Sequence, residues 1–317
     1  MSEFDLIRQH FTRKTHHTNL SVGDDAALIS VPQGLELAIS ADMLVAGTHF
    51  FTDADPFKLG WKSLAVNVSD MAAMGANPKW ATLAIALPHN DAAWLSQFSD
   101  GFFACAKTFN IDLIGGDTTR GPLTISVQIM GETPRGFAIK RSGAKVGDEI
   151  WVSGNLGDAA LALAHMQNKF QLAGNEFAGC AKSLHTPQPR VCLGLALRNI
   201  AHSAIDISDG LLADLGHILE ASKVGATIQL QALPYSNVMK NHLANPLTEH
   251  MMLAGGDDYE LCFTAPVNRH AEIVLLSQRL DLKLSNIGHI THNHALIVRG
   301  ADNEVLSIKE TGFDHFN

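Results

Sequence analysis

Cysteine is scarce, with four in 317 residues. Cys105, Cys180, Cys192 and Cys262 stand far apart and form no CxxC pair, which excludes a cysteine zinc site and a disulfide framework and leaves reduced core thiols. Charge is also sparse at 17%, no low-complexity tract occurs, and 46% of residues are hydrophobic, a balance that excludes a disordered chain. Lys and Arg nowhere gather into a run that would track a phosphate backbone, and the net charge is −9, so no nucleic-acid partner is expected. No apolar stretch reaches the roughly 18 residues of a membrane span, and the opening MSEFDLIRQHF lacks the basic-then-apolar order of a signal peptide. The expectation is a soluble, cytoplasmic protein with no membrane partner. Familiar catalytic signatures are missing too: GxxxxGK[ST], the protein-kinase Gly-rich loop with its HRD and DFG partners, HExxH and GxSxG. DISDG is no EF-hand, because its glycine comes one position early and the ligand spacing fails.

What is present is an alternation of strand-like and helix-like stretches in a chain long enough for about two domains. LELAISAD, WATLAIALP, IDLIGGD and LTISVQIMGE read as strands, while PFKLGWKSLAVNVSDMAAMGA and NDAAWLSQFSDGFFACAKTFN read as helices. AIKRSGAKVGDEIWVSG follows, with Gly143 and Gly147 marking a turn, and the domain boundary is placed near 145, giving domains 1–145 and 146–317. In the second half DAALALAHMQ and GLLADLGHILEASK are helical, and GATIQLQALP, YELCFTAP and HALIVRG are strand-like. The tract HITHNH (His289, His292, His294) reads as a polar hairpin turn between strands rather than a metal site. The fold class is therefore mixed α/β. GGDTT around Asp117 and GGDDYE around Asp257 echo each other across the halves, which by itself is thin evidence for a repeat.

Acidic residues recur at the edges of apolar elements, in VGDDAAL, AISADML, VNVSDMAAMG, LIGGDTTRG, AIDISDG and AGGDDYE. A single Asp after a strand ordinarily caps the next helix or closes an Asx-turn. Six such cases suit a different arrangement, in which strand ends of an α/β fold open onto one crevice and their carboxylates converge. Converged carboxylates repel, so a cation must offset them, and oxygen donors without a Cys or His cluster favour Mg²⁺ over zinc. Mg²⁺ commonly bridges one or two carboxylates to phosphates, so several acidic residues suggest several ions around a polyphosphate. Asn67 and Asp70 share one helix face at i, i+3, turned toward such a site or simply toward solvent.

VGDDAAL, ISADMLVAGTHF, AVNVSDMAAMGA, LIGGDTTRGPL, RSGAKVGD, AIDISDGLLADLGHI, GGDDYELCFT and GFDHF follow one another over residues 20–316. In content and order the chain resembles the thiamine-monophosphate kinases. GGDTT and SDG are shared with the wider superfamily of aminoimidazole-ribonucleotide synthetases and selenophosphate synthetases; LVAGTHF with GFDHF points more narrowly to the kinases. The resemblance implies a two-domain aminoimidazole-ribonucleotide synthetase-like fold. In it the N-terminal domain forms a dimeric sheet or barrel, the C-terminal domain is α/β, and the active site lies in the cleft between domains. It also implies ATP as cosubstrate, several Mg²⁺ ions, thiamine monophosphate as acceptor and a homodimer. Carried over by position, Asp25, Ser40, Asp42, Asp70, Asp117, Asp206 and Asp209 are implied metal ligands. Gly116, Asp117, Arg141 and Ser208 are implied nucleotide contacts, and His49, Asp257 and Phe313 are implied to surround the substrate. Two positions depart from the family pattern. Ala41 stands where the family often has Thr, leaving only a backbone carbonyl for a metal, and Asp257 stands where GGEDYE would supply Glu.

The reaction implied is transfer of the ATP γ-phosphoryl group to thiamine monophosphate, the last step in making thiamine diphosphate. A phosphate monoester with a second pKa near 6 is largely deprotonated at pH 7, so no dedicated base is called for. Read alone, Arg141 equally suits a solvated turn, His49 a structural position and Phe313 a core-packed tail. Selenophosphate synthesis is disfavoured because no Cys precedes residue 105. An imidazole-forming synthetase and a catalytically silent nucleotide-binding protein remain as rival readings.

Overall fold

A computed structural model describes residues 3–308 and Gly312. The chain divides into two compact units, the first holding the chain to Met71 with Ala76–Gly136, the second holding Ala72–Gly75 with the chain from Phe137 onward. The contact boundary thus falls between Gly136 and Phe137, ahead of the 145 placed from the sequence. Its physical reason is that the intervening segment bonds into the second unit: the Ala204 N–H donates to the Lys140 carbonyl at 3.2 Å, and the Gly143 and Ala144 N–H groups donate to Ser222 Oγ at 3.1 and 3.2 Å.

In order, the first-unit elements are α1 (Glu3–Leu6), β1 (Thr18–Leu20), β2 (Leu28–Ile29), β3 (Leu35–Val45), α2 (Pro56–Ala73), β4 (Asn77–Leu87), α3 (Ala92–Phe109), β5 (Asp112–Arg120) and β6 (Thr124–Pro134). Helix α2 begins where Asp55 accepts the Lys58 N–H at 3.0 Å and Pro56 supplies a first-turn φ that needs no donor. Helix α3 is capped by Asp91, which accepts from Ala93 N and Trp94 N at 2.9 and 3.1 Å, and it ends at left-handed Asn110. Its buried Leu95, Phe98, Phe102, Cys105 and Ala106 follow the helical period. The four-stranded sheet runs β3-β6-β4-β5, parallel only between β4 and β5. One face carries buried Ala81, Leu83 and Ile85 of β4 and Ile125, Val127 and Ile129 of β6. By register Ser40 and Asp42 share that face.

The second unit contains β7 (Glu149–Ser153), α4 (Asp158–Met166), α5 (Gly174–His185), α6 (Val191–Leu197), β8 (Ser203–Asp206), α7 (Leu211–Ser222), β9 (Gly225–Gln229), α8 (Asn237–Asn241), α9 (Pro246–Ala254), β10 (Leu261–Ala265), α10 (His270–Leu280), β11 (Leu284–Thr291) and β12 (Leu296–Arg299). Its sheet runs β12-β9-β11-β7-β10-β8, parallel only between β12 and β9. The core gathers Ile150, Val152, Leu161, Ile205, Leu215, Ile218, Ile228 and Ile287. The stretch holding His292 and His294 is not a hairpin turn. Strands β11 and β12 both pair with β9, so the connection passes around the end of β9, where the Ala226 N–H donates to the Ala295 carbonyl at 2.8 Å. The apolar run HALIVRG therefore joins the sheet beside a distant strand, which local turn chemistry does not reveal.

Candidate active site

In the first unit, β3 and α2 bring three of the expected residues into one neighbourhood. Ser40 Oγ donates to Asp70 Oδ2 at 2.6 Å. One alternation further along β3, the Asp42 backbone N–H donates to Asn67 Oδ1 at 3.0 Å, and Asn67 Nδ2 donates to the Ser63 carbonyl at 3.0 Å. Asn67 is fully buried, so both ends of its amide are committed, and it ties β3 to α2 at the Asp42 position. The i, i+3 pair Asn67 and Asp70 thus faces the strand rather than solvent. His49 lies in the turn after β3, where its Nδ1 accepts the Val45 N–H at 3.0 Å; in the neutral imidazole the proton then sits on Nε2.

The other first-unit residues lie on other segments of the chain. Asp25 is exposed in a turn, with its N–H on Asp24 Oδ1 at 2.9 Å. Gly116 and Asp117 lie on β5, beside Leu83 and Ala84 of β4. A Cβ at Gly116 would sit 1.8 Å from the Leu83 carbonyl oxygen, and its φ is +151°, so the second glycine of GGDTT is there for close strand approach. Asp117 is exposed on the same strand.

In the second unit, Asp206 closes β8 and is buried, and Ser208 and Asp209 form the turn into α7. This turn is built around a residue without a predicted role. Asp214, 2% exposed in the first turn of α7, accepts the N–H groups of Ser208, Asp209 and Gly210 on a single oxygen, Oδ2, at 3.0, 3.1 and 3.1 Å. Burial and the Asp209 charge push its carboxyl up to about 7, against the three N–H bonds, which favour the ionised form. On the other side of the turn, the Asp257 N–H donates to the Ser208 carbonyl and the Tyr259 N–H to the Ile207 carbonyl, both at 2.8 Å. The GGDDYE loop therefore lies against the SDG turn. Asp257 and Tyr259 are held in the left-handed region, at φ 70° and 49°, and Tyr259 Oη donates to Asp257 Oδ1 at 3.1 Å. Gly312 reaches the same place: a Cβ there would be 2.8 Å from the Asp209 carbonyl oxygen and 2.5 Å from Ala213 Cβ. Phe313, the next residue, lies outside the described residues. Arg141 does not join the turn. Its carbonyl accepts from Ser222 Oγ at 3.2 Å at the far end of α7, a 12-residue helix about 18 Å long that starts at the Ser208–Gly210 turn.

Two of the GGDDYE loop's own carboxylates, Asp258 and Glu260, anchor it to the rest of the unit, with Asp158 close enough to Asp258 to act on its charge. Asp258 accepts the Gly157 N–H on both oxygens at 3.1 and 3.0 Å. Burial raises its pKa well above the ordinary range against that bond, and the charges of Glu260, Asp158 and Asp257 add to the rise. Asp158 accepts from Ser236 Oγ at 2.6 Å, and burial raises it as well. Glu260 is held by Ser153 Oγ at 2.5 Å and by the Arg190 guanidinium, with Nε on Oε2 at 2.7 Å and Nη2 on Oε1. None of this was legible from spacing, since the partners lie 70 or more residues apart in the chain.

The family profile described as "AIR synthase related protein, N-terminal domain" matches residues 23–133, and the corresponding C-terminal domain profile matches 145–300. Thiamine-monophosphate kinase of Escherichia coli strain K12 is 47% identical over 319 aligned residues, covering 99% of this chain and 98% of that protein. The chain belongs to the thiamine-monophosphate kinase family. Among solved structures, thiamine-monophosphate kinase from Stenotrophomonas maltophilia K279a superposes with a TM-score of 0.86 at 44% identity, covering 96% of this chain and 95% of that one. AaThiL complexed with AMPPCP and TMP superposes with a TM-score of 0.80 at 29% identity, covering 99% and 96%. The two-domain fold is thus that of the family.

The divalent ions implied by the sequence resemblance would need oxygen donors, and the site-bearing elements carry them. Among the described residues no three His, Cys, Asp or Glu side chains form a ready-made metal group. Within the first unit the oxygen atoms are the carboxylates of Asp42 and Asp70 and the hydroxyl of Ser40, and within the second they are those of Asp206, Asp209 and Ser208, in each unit the donor type that Mg²⁺ takes. The short Ser40–Asp70 bond occupies an oxygen that an ion would compete for.

Proposed function

We propose that the chain transfers the γ-phosphoryl group of ATP to thiamine monophosphate, giving thiamine diphosphate and ADP. The observation that carries this reading is the near full-length 47% identity to a thiamine-monophosphate kinase, supported by the fold shared with AaThiL complexed with AMPPCP and TMP. In the reaction an oxygen of the acceptor phosphate forms a bond to the γ-phosphorus, and the bond from that phosphorus to the β–γ bridging oxygen breaks, leaving ADP. The acceptor oxygen is already largely deprotonated at neutral pH, so the chain needs to supply position and charge compensation rather than a base. Mg²⁺ ions, when bound, neutralise the facing polyanions. Asp25, Ser40, Asp42, Asp70, Asp117, Asp206 and Asp209 are proposed to hold them. Gly116, Asp117, Ser208 and Arg141 are proposed nucleotide contacts, Arg141 through its planar donor fork. His49, whose Nδ1 accepts the Val45 N–H, and Asp257, which accepts from Tyr259 Oη, are proposed to orient thiamine monophosphate, with Phe313 completing its surroundings. A homodimer is proposed through the apolar sheet face of the first unit, where Ile39 and Met43 are 57% and 56% exposed. A reducing, cytoplasmic setting suits the four free cysteines.

The test is ADP release by the purified chain with ATP and Mg²⁺, with and without thiamine monophosphate, with the thiamine product separated by chromatography. Stoichiometric thiamine diphosphate is the expected result. Turnover independent of thiamine monophosphate would overturn the assignment.

A further inference from the structure

Three successive backbone N–H groups converging on one point form a concavity that ordinarily takes an anion such as a phosphate oxygen. In the β8–α7 turn that concavity is already filled from within. Ser208, Asp209 and Gly210 all donate to Oδ2 of Asp214, which is buried and four to six residues ahead in the same segment. The Ser208 carbonyl is committed as well, to the Asp257 N–H. These three amides are therefore committed within the turn and form no open cradle for a nucleotide phosphate, which leaves the Ser208 and Asp209 side chains as the groups to meet it. We propose that Asp214 is a positioning residue that holds the Ser208–Gly210 backbone in one conformation, so that Ser208 and Asp209 meet the Mg²⁺-nucleotide with fixed geometry. This rests on the nucleotide-binding reading above and adds a residue to it.

Two substitutions separate geometry from charge. Asp214→Asn keeps an acceptor oxygen at the same distance from the backbone and loses the charge. Asp214→Glu keeps the carboxylate and displaces its oxygens by a methylene in a buried site. Two readouts are taken on the full chain: hydrogen exchange of the 208–210 amides without ligand, and calorimetric binding of AMPPCP with Mg²⁺, which involves no turnover. Positioning predicts that Asp214→Asn stays within about threefold of wild type in both. It predicts that Asp214→Glu exchanges these amides at least tenfold faster and binds at least tenfold more weakly. The proposal is overturned if Asp214→Asn binds poorly while its amides stay protected, because charge would then be the agent. It is equally overturned if Asp214→Glu loosens the turn without weakening binding, because the role would then be structural only. Absence of thiamine diphosphate formation by the wild type would defeat the proposed reaction and leave this comparison standing.

Discussion

At the scale of single residues, a carboxylate in this chain takes its role from the donors around it. Asp112 is buried and collects the His16 and His17 N–H groups at 2.9 and 2.5 Å and the Thr18 hydroxyl at 2.8 Å, a tie between segments over 90 residues apart. Asp214 is saturated in a similar way. Asp70 is half-buried and takes a hydroxyl that an incoming cation could displace. Replacing Asp42, Asp70 or Asp209 by Asn should lower kcat/KM by about 10²–10³, the usual scale for one electrostatic contributor. The melting temperature should move little. Steady-state kinetics beside a thermal melt checks this, and wild-type turnover in a stably folded variant would remove that residue from the metal set. Gly116→Ala should act through stability instead, since its Cβ would collide with the Leu83 carbonyl and force β5 away from β4; about 2–4 kcal/mol should be lost in urea unfolding. The GGDTT pattern makes this glycine visible in the sequence. Asp214 is not visible as an anchor, because a carboxylate that gathers three backbone donors has the same letter as one that awaits a metal.

At the scale of elements, the GGDDYE loop shows where local reading ends. Helices α2 and α3 and strands β3 to β6 follow from periodicity and caps, signals that reside within a dozen residues. The loop depends instead on Gly157 meeting Asp258 and on Arg190 meeting Glu260, pairings that only the folded sheet creates. Its buried carboxyl carries a consequence for stability. Burial raises the pKa of Asp258 in the folded chain above its unfolded value, so between those values the folded state binds more protons. Its contribution is fully present below the unfolded pKa and is lost as pH rises through the folded one. Asp258→Asn keeps an acceptor for the Gly157 N–H and removes the titration. The variant's melting temperature relative to wild type should therefore climb as pH rises across that window and then level off. A difference that stays constant from pH 4 to 8 would show that Asp258 bears no such burden.

At the scale of the whole molecule, strand β3 poses a question that one chain does not answer. In LELAISADMLV the odd positions Leu37, Ile39, Ala41, Met43 and Val45 are all apolar, while the even positions include Glu36, Ser40 and Asp42. Alternation of this kind ordinarily buries the apolar face and leaves the polar face to water. Here Ser40 bonds to α2, and Ile39 and Met43 are more than half exposed, with Ala84 and Gln128 exposed in the same register on β4 and β6. A second copy of the sheet, laid against this face, would restore the burial that the pattern encodes. Ile39→Glu combined with Met43→Glu places charge on that face without touching the side that carries Ser40 and Asp42. Light scattering should then show the mass falling from twice the 34.1 kDa of one chain to a single chain, with the far-ultraviolet circular dichroism unchanged. A wild type that already runs as a monomer, or a double variant that still pairs, would mean that the apolar face is covered by something other than a second copy.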